Sequence, residues 1–115
     1  MASYYRNLAV WKKAFELNKI IHILLEKFPE KEKFALTDQM RRASLSIASN
    51  IAEGSGRGSS ADYARFLQIA KGSAMELETQ LLLAEEFSYI SHEEMENCLS
   101  IIDEIIRMIF GMIKK

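Results

Sequence analysis

A chain of 115 residues with 49% apolar side chains has the length of one domain and the means to bury a core. Its single cysteine, Cys98, excludes an intrachain disulfide, and a net charge of −1 with pI ≈ 6.1 excludes the uniformly basic surface of a dedicated nucleic-acid coat. Met1–Arg6 offers no apolar leader and no apolar run reaches the ~18 residues of a membrane span, so the reading is a cytoplasmic protein without membrane contact.

One proline and five glycines leave few breaks, so long helices are expected across residues 1–115 as one bundle domain. Residues 1–7 read as a flexible N-terminus. A first helix follows over about 8–27, with Val10, Trp11, Ala14, Leu17, Asn18, Ile21, Leu24, Leu25 and Phe28 on its inner stripe. Pro29 cannot continue the hydrogen-bond ladder, so the chain turns there. Glu30–Lys33 reads as a solvated connector, and Phe34 is expected to plug the end of the bundle.

The second helix is predicted over 36–53. Leu36, Met40, Ala43, Ile47 and Ile51 form its apolar stripe, and Gly54 is expected to end it in the left-handed conformation. Beside that stripe runs a polar one of Gln39, Arg42, Ser46, Asn50 and Glu53. It is either a solvated face or a hydrogen-bonded polar seam between helices. Ser55–Ser60 reads as a tight turn. Its glycines resemble a phosphate loop only superficially, because no strand precedes them and no Walker lysine follows.

The third helix is predicted over 60–87, capped by Ser59 with Asp62 three residues on. If helices two and three reverse around Arg57, Arg42 comes level with Gly72, Ser73 and Glu76. A pair between Glu76 and Arg42, or failing that Arg41, is expected there, with Gly72 allowing close approach. Gln80 continues the same seam. The fourth helix, over 92–113, opens with a capping box at Ser91–Glu94. Its apolar arc spans roughly 200°, against roughly 100° for a helix packed on one side only. One flank should face the core and the other a neighbouring subunit, with Ile102, Ile106, Ile109 and Phe110 as interface residues. Short connectors imply an antiparallel up-down-up-down four-helix bundle.

Several of these segments resemble one family. Gln39-Met40-Arg41-Arg42-Ala43, Ser46-Ile47, Asn50-Ile51-Ala52-Glu53-Gly54 and Arg57 resemble the central signature of the ribosomal-RNA intervening-sequence proteins. Leu8-Ala9-Val10-Trp11, Ala14 and Phe28-Pro29 resemble that family's first helix and turn. Tyr63, Phe66-Leu67, Ala70, Gly72-Ser73, Glu76-Leu77 and Gln80-Leu81 resemble its third helix. The resemblance covers nearly the whole chain and implies a homopentameric helical barrel. It extends to accessory proteins of diversity-generating retroelements, which bind nucleic acid.

No catalytic constellation, cofactor site or metal-ligand spacing is visible. His22 and His92 lie on different helices, and Cys98 lies among apolar helix positions. What the residues offer is binding. Residues 1–58 hold ten Lys or Arg against six Asp or Glu, and residues 59–115 hold five against ten, giving +4 and −5. This imbalance is either helix–helix charge complementarity or a basic surface, for which Lys12, Lys13, Arg41, Arg57 and Arg65 are the candidates. The reading is a non-enzymatic oligomeric scaffold that engages RNA, DNA or a nucleic-acid-processing protein. The alternative is a pentameric protein–protein adaptor without nucleic-acid contact.

Overall fold

The computed structural model describes residues 4–114. These form four helices: α1 (Ala9–Leu25), α2 (Leu36–Ser55), α3 (Ser60–Glu86) and α4 (His92–Lys114). Short 3-10 turns occupy Tyr4–Asn7 and Glu30–Glu32. Each helix packs on its sequence neighbours, and α4 closes back on α1. Cross-helix pairs give the antiparallel registers. Asn18 meets Ser44, Ser46 meets Ser73, and His92 meets Glu85, while Lys13 with Glu104 and Lys27 with Glu94 tie the two ends of α1 to α4. The body measures 43 × 23 × 20 Å. Its long axis matches the roughly 40 Å expected of a 27-residue helix.

The core follows from heptad-like spacing. Val10, Ala14, Leu17, Ile21 and Leu24 of α1 are buried, as are Met40, Ala43, Ile47 and Ile51 of α2. Leu67, Ala70, Ala74, Leu77, Leu81 and Ala84 of α3 combine leucine with alanine, and Met95, Cys98, Ile102, Ile105 and Ile109 of α4 complete the layers. Burial, and after it the charge of Glu94, pushes the Cys98 thiol up to about 11. It therefore packs as a small neutral hydrophobe, not a nucleophile.

Both ends of α3 and the start of α4 are capped locally. Ser59 Oγ accepts from the Asp62 amide at 3.1 Å. Ser91 and Glu94 form a reciprocal box, with the Glu94 amide donating to Ser91 Oγ at 3.0 Å and the Ser91 amide to Glu94 Oε1 at 2.9 Å. At the end of α3, Ser88 adopts φ 65° and the Tyr89 amide reaches the Ala84 carbonyl at 2.8 Å. This is a Schellman stop built without glycine.

Four expectations are corrected here. No described glycine has positive φ, so Gly54 does not end α2 by a left-handed turn; the helix runs on to Ser55. Gly54 is instead buried, and a methyl added to it would lie 2.8 Å from Phe66 Cβ, so α2 and α3 approach closely there. Phe34 is 88% exposed and plugs nothing. Phe28 and Tyr89 fill that end instead, with centroids 5.2 Å apart and the Tyr89 hydroxyl donating to Glu32 at 2.8 Å. Tyr4–Asn7, expected as part of a flexible N-terminus, form a 3-10 turn packed on α1 and α2; the remainder of that segment, residues 1–3, lies outside the described residues.

The fourth correction concerns α4. Ile102 and Ile109 are completely buried within the one chain, so they offer no surface to a neighbour. The wide apolar arc is explained by the bundle itself. A corner helix of a four-helix ring touches two others, and α4 is wedged between α1 and α3. Met108 and Met112 line a cleft with Leu8 and Val10, whereas Ile113 lies beside Tyr63 and Leu67. Ile106 is half-buried, and of the four expected interface residues only Phe110, at 58%, is exposed.

Candidate nucleic-acid interface

The antiparallel topology redistributes charge in a way the linear halves conceal. Residues 4–17, 46–72 and 104–114 make up one end of the bundle, and residues 18–45 and 73–103 the other. The first end holds eight Lys or Arg against four Asp or Glu; the second holds six against twelve. A net +4 therefore faces a net −6 along a 43 Å body. Four antiparallel helix dipoles cancel in pairs, so this separation is set by side chains.

Lys12, Lys13, Arg57 and Arg65 are brought to the basic end. Arg41 is not: it starts α2 at the opposite end, where Asp38 pairs with both it and Arg42. Arg57 and Arg65 converge on one ring. Their guanidinium carbons lie 4.7 and 4.6 Å from the centroid of Phe66, which the close α2–α3 approach at Gly54 holds in place. Each also has an acid nearby. Arg57 donates to Glu53 at 2.8 Å, and Arg65 stands 3.8 Å from Asp62. Lys13 pairs with Glu104 at 3.0 Å, while Lys12 is exposed and holds no ion pair among the described residues. These pairs are solvent-exposed, so exchanging a carboxylate for a phosphate costs little.

The polar seam exists but is composed differently from the expectation. Asn50 Nδ2 donates to the Ser46 carbonyl at 2.8 Å and to Ser46 Oγ at 2.9 Å, and Ser46 Oγ shares a 2.8 Å bond with Ser73 Oγ. Gln39, Arg42, Glu53 and Glu76 are exposed instead. The expected Arg42–Glu76 pair is absent, because Asp38 four residues earlier captures Arg42 at 2.9 Å. Gly72 has open space around it and mediates no close approach. Gln80 is 7% exposed and its Oε1 has no partner among the described residues. A second seam went unforeseen: Asn18 Nδ2 donates to buried Ser44 Oγ at 2.9 Å between α1 and α2. Its signal was present, since Asn18 interrupts an otherwise apolar stripe and must find a partner.

Among the described residues no His, Cys, Asp or Glu cluster could hold a metal, and no helix is long and apolar enough to cross a membrane. Comparison with known proteins agrees with the architecture. A crystal structure of a protein of unknown function from Bacteroides thetaiotaomicron VPI-5482, of the S23 ribosomal protein family, superposes with a TM-score of 0.86. It is 30% identical, and the match covers 93% of this chain and 100% of that one. No curated protein matches the chain. The family model described as 23S rRNA-intervening sequence protein matches residues 6–111, nearly the whole bundle, and the chain belongs to that family.

Proposed function

We propose that the protein is a non-enzymatic oligomeric scaffold that engages RNA, free or within a nucleoprotein, through the basic end of its bundle. The observation that carries this is the charge separation: four of the five candidate cations share one end, and two of them bracket the Phe66 ring. One copy presents too few cations for tight binding. Assembly into a homopentamer, which the family resemblance implies, would repeat the patch and raise avidity where one strand reaches several copies. Phe110, the exposed remnant of the expected α4 surface, is the anchor we assign to self-association, with Ile106 at its edge.

Filter binding of RNA at several salt concentrations tests the reading. Affinity should fall steeply with salt, because neutralised phosphates release counterions. Arg57→Glu with Arg65→Glu should weaken binding and reduce the salt slope while the mass by light scattering stays unchanged. No binding to single-stranded or structured RNA at low salt would end this reading. It would favour a protein–protein adaptor, which the exposed Leu45, Met75, Leu82 and Leu83 on the outer sides of α2 and α3 would serve.

A further inference from the structure

The basic end carries a second feature besides its cations. Tyr5, Trp11 and Phe15 form a continuous aromatic ladder along the Tyr4–Asn7 turn and the first two turns of α1. The Tyr5 and Trp11 ring centroids lie 5.4 Å apart at an interplanar angle of 68°, and those of Trp11 and Phe15 lie 5.0 Å apart at 28°. The ladder is not simply core. Tyr5 and Trp11 are half-buried, and Phe15 is 49% exposed at its outer rung. Phe15 turns toward solvent because it sits between Ala14 and Glu16, off the stripe of Ala14 and Leu17. The Trp11 indole stacks on it from one helical turn earlier.

Cations flank this ladder; Glu16 lines the same shallow depression as Lys12 but is ion-paired with Lys19 instead. Arg6 follows Tyr5, and Lys12 lies between Trp11 and Phe15 on the same helix; both are exposed, and neither holds an ion pair among the described residues. They differ in this from Lys13, Arg57 and Arg65, each of which has a carboxylate within 4 Å. A stacked aromatic pair tilted by 28°, with its outer member half exposed and unpaired positive charge at its edge, is complementary to a ligand that alternates flat rings with anionic groups. A single-stranded nucleic acid is that ligand. A duplex is not, because its bases are stacked on one another and present only edges and phosphates.

We propose that the Tyr5–Trp11–Phe15 ladder is a stacking platform for unpaired bases, with Arg6 and Lys12 as its phosphate contacts, so that the protein prefers single-stranded to double-stranded nucleic acid. This rests on the nucleic-acid reading above and adds to it the form of the ligand and the residues that select it. Base recognition here is by ring face, so little sequence preference accompanies it.

Trp11 is the one tryptophan of the chain, so its emission reports directly on the platform. The full chain is titrated at low salt with a 15-nucleotide oligoadenylate, with a mixed-sequence RNA duplex of the same length, and with base-free polyphosphate. Trp11 emission and affinity are both read. The proposal expects quenching and the tightest binding with the oligoadenylate, and little or no quenching with the other two. Phe15→Ala, at a half-exposed position, should lower oligoadenylate affinity by about tenfold, leave the salt slope unchanged, and keep the wild-type helix content. Arg57→Glu with Arg65→Glu should reduce the salt slope yet preserve the quench. Equal binding of duplex and single strand, with no quench and no effect of Phe15→Ala, would overturn the stacking platform while leaving electrostatic RNA binding in place. Polyphosphate binding as well as oligoadenylate per charge would overturn it in the same way. No binding by any of the three would remove both.

Discussion

Replacing Gly54 with alanine places a methyl carbon 2.8 Å from Phe66 Cβ, 3.1 Å from Tyr63 Cδ1 and 3.4 Å from the Tyr63 carbonyl oxygen. Carbon atoms in contact settle at roughly 3.5–4.0 Å, so α2 and α3 must part by the better part of an ångström at this end. The main obstruction is the Phe66 Cβ, which no rotamer change can remove, whereas the Tyr63 ring need give only a few tenths of an ångström. Overpacking of this kind costs about 1–3 kcal/mol. Against it stands helix propensity, which favours alanine over glycine inside a helix by about 0.8–1 kcal/mol. The net expectation is destabilisation of up to about 2 kcal/mol, or a Tm lowered by up to roughly 8 °C. Gly72 supplies the control on the neighbouring helix. Its added methyl meets nothing within 4 Å, so Gly72→Ala should gain the propensity term alone and raise stability by up to about 1 kcal/mol. Urea unfolding followed by circular dichroism, at one fixed protein concentration, reads both. If Gly54→Ala is as stabilising as Gly72→Ala, the close-approach account of Gly54 is wrong. Because Phe66 carries Arg57 and Arg65, the Gly54 variant should also bind RNA more weakly than Gly72→Ala does.

Three further outcomes follow from particular residues. Ile102→Ala should cost about 2–5 kcal/mol in thermal or urea unfolding, since Ile102 is fully buried, whereas Phe110→Ala should leave the fold near wild-type stability and lower the assembled mass in light scattering. Ser88→Gly should raise stability by about 1 kcal/mol, because a non-glycine residue at φ 65° bears the left-handed penalty; an unchanged urea midpoint would contradict this. His92, hydrogen-bonded to Glu85 and near its charge, titrates above the ordinary imidazole value of about 6.5. Its contribution to stability is complete below that ordinary value and is lost as pH rises through the raised folded one. Urea midpoints across this range should fall more for the wild type than for His92→Gln, and matching profiles would refute the coupling.

What the residues alone determined is what depends on neighbours in sequence. The 3.6-residue apolar period, Pro29, the Ser59 cap and the Ser91–Glu94 box act within one or two turns, so four helices and their junctions could be read directly. Distances between helices were another matter. The α4 arc reported two packed flanks, but sequence cannot say whether a second flank meets a neighbouring molecule or, as here, a helix of the same chain. Arg42 had two carboxylates in reach, and the local one won because an i, i+4 partner needs no interhelix approach. Gly54 carried the cap signature of composition, yet its use was decided by the Phe66 Cβ on another helix. Charge shows the division most clearly. Read along the chain it separates into a basic first half and an acidic second. Folding back at each turn cuts every helix across its middle instead, gathering Lys12, Lys13, Arg57 and Arg65 at one end and leaving Arg41 at the other. Which cations act together is a property of antiparallel packing, since only the tertiary structure brings residues 12 and 65 to the same end.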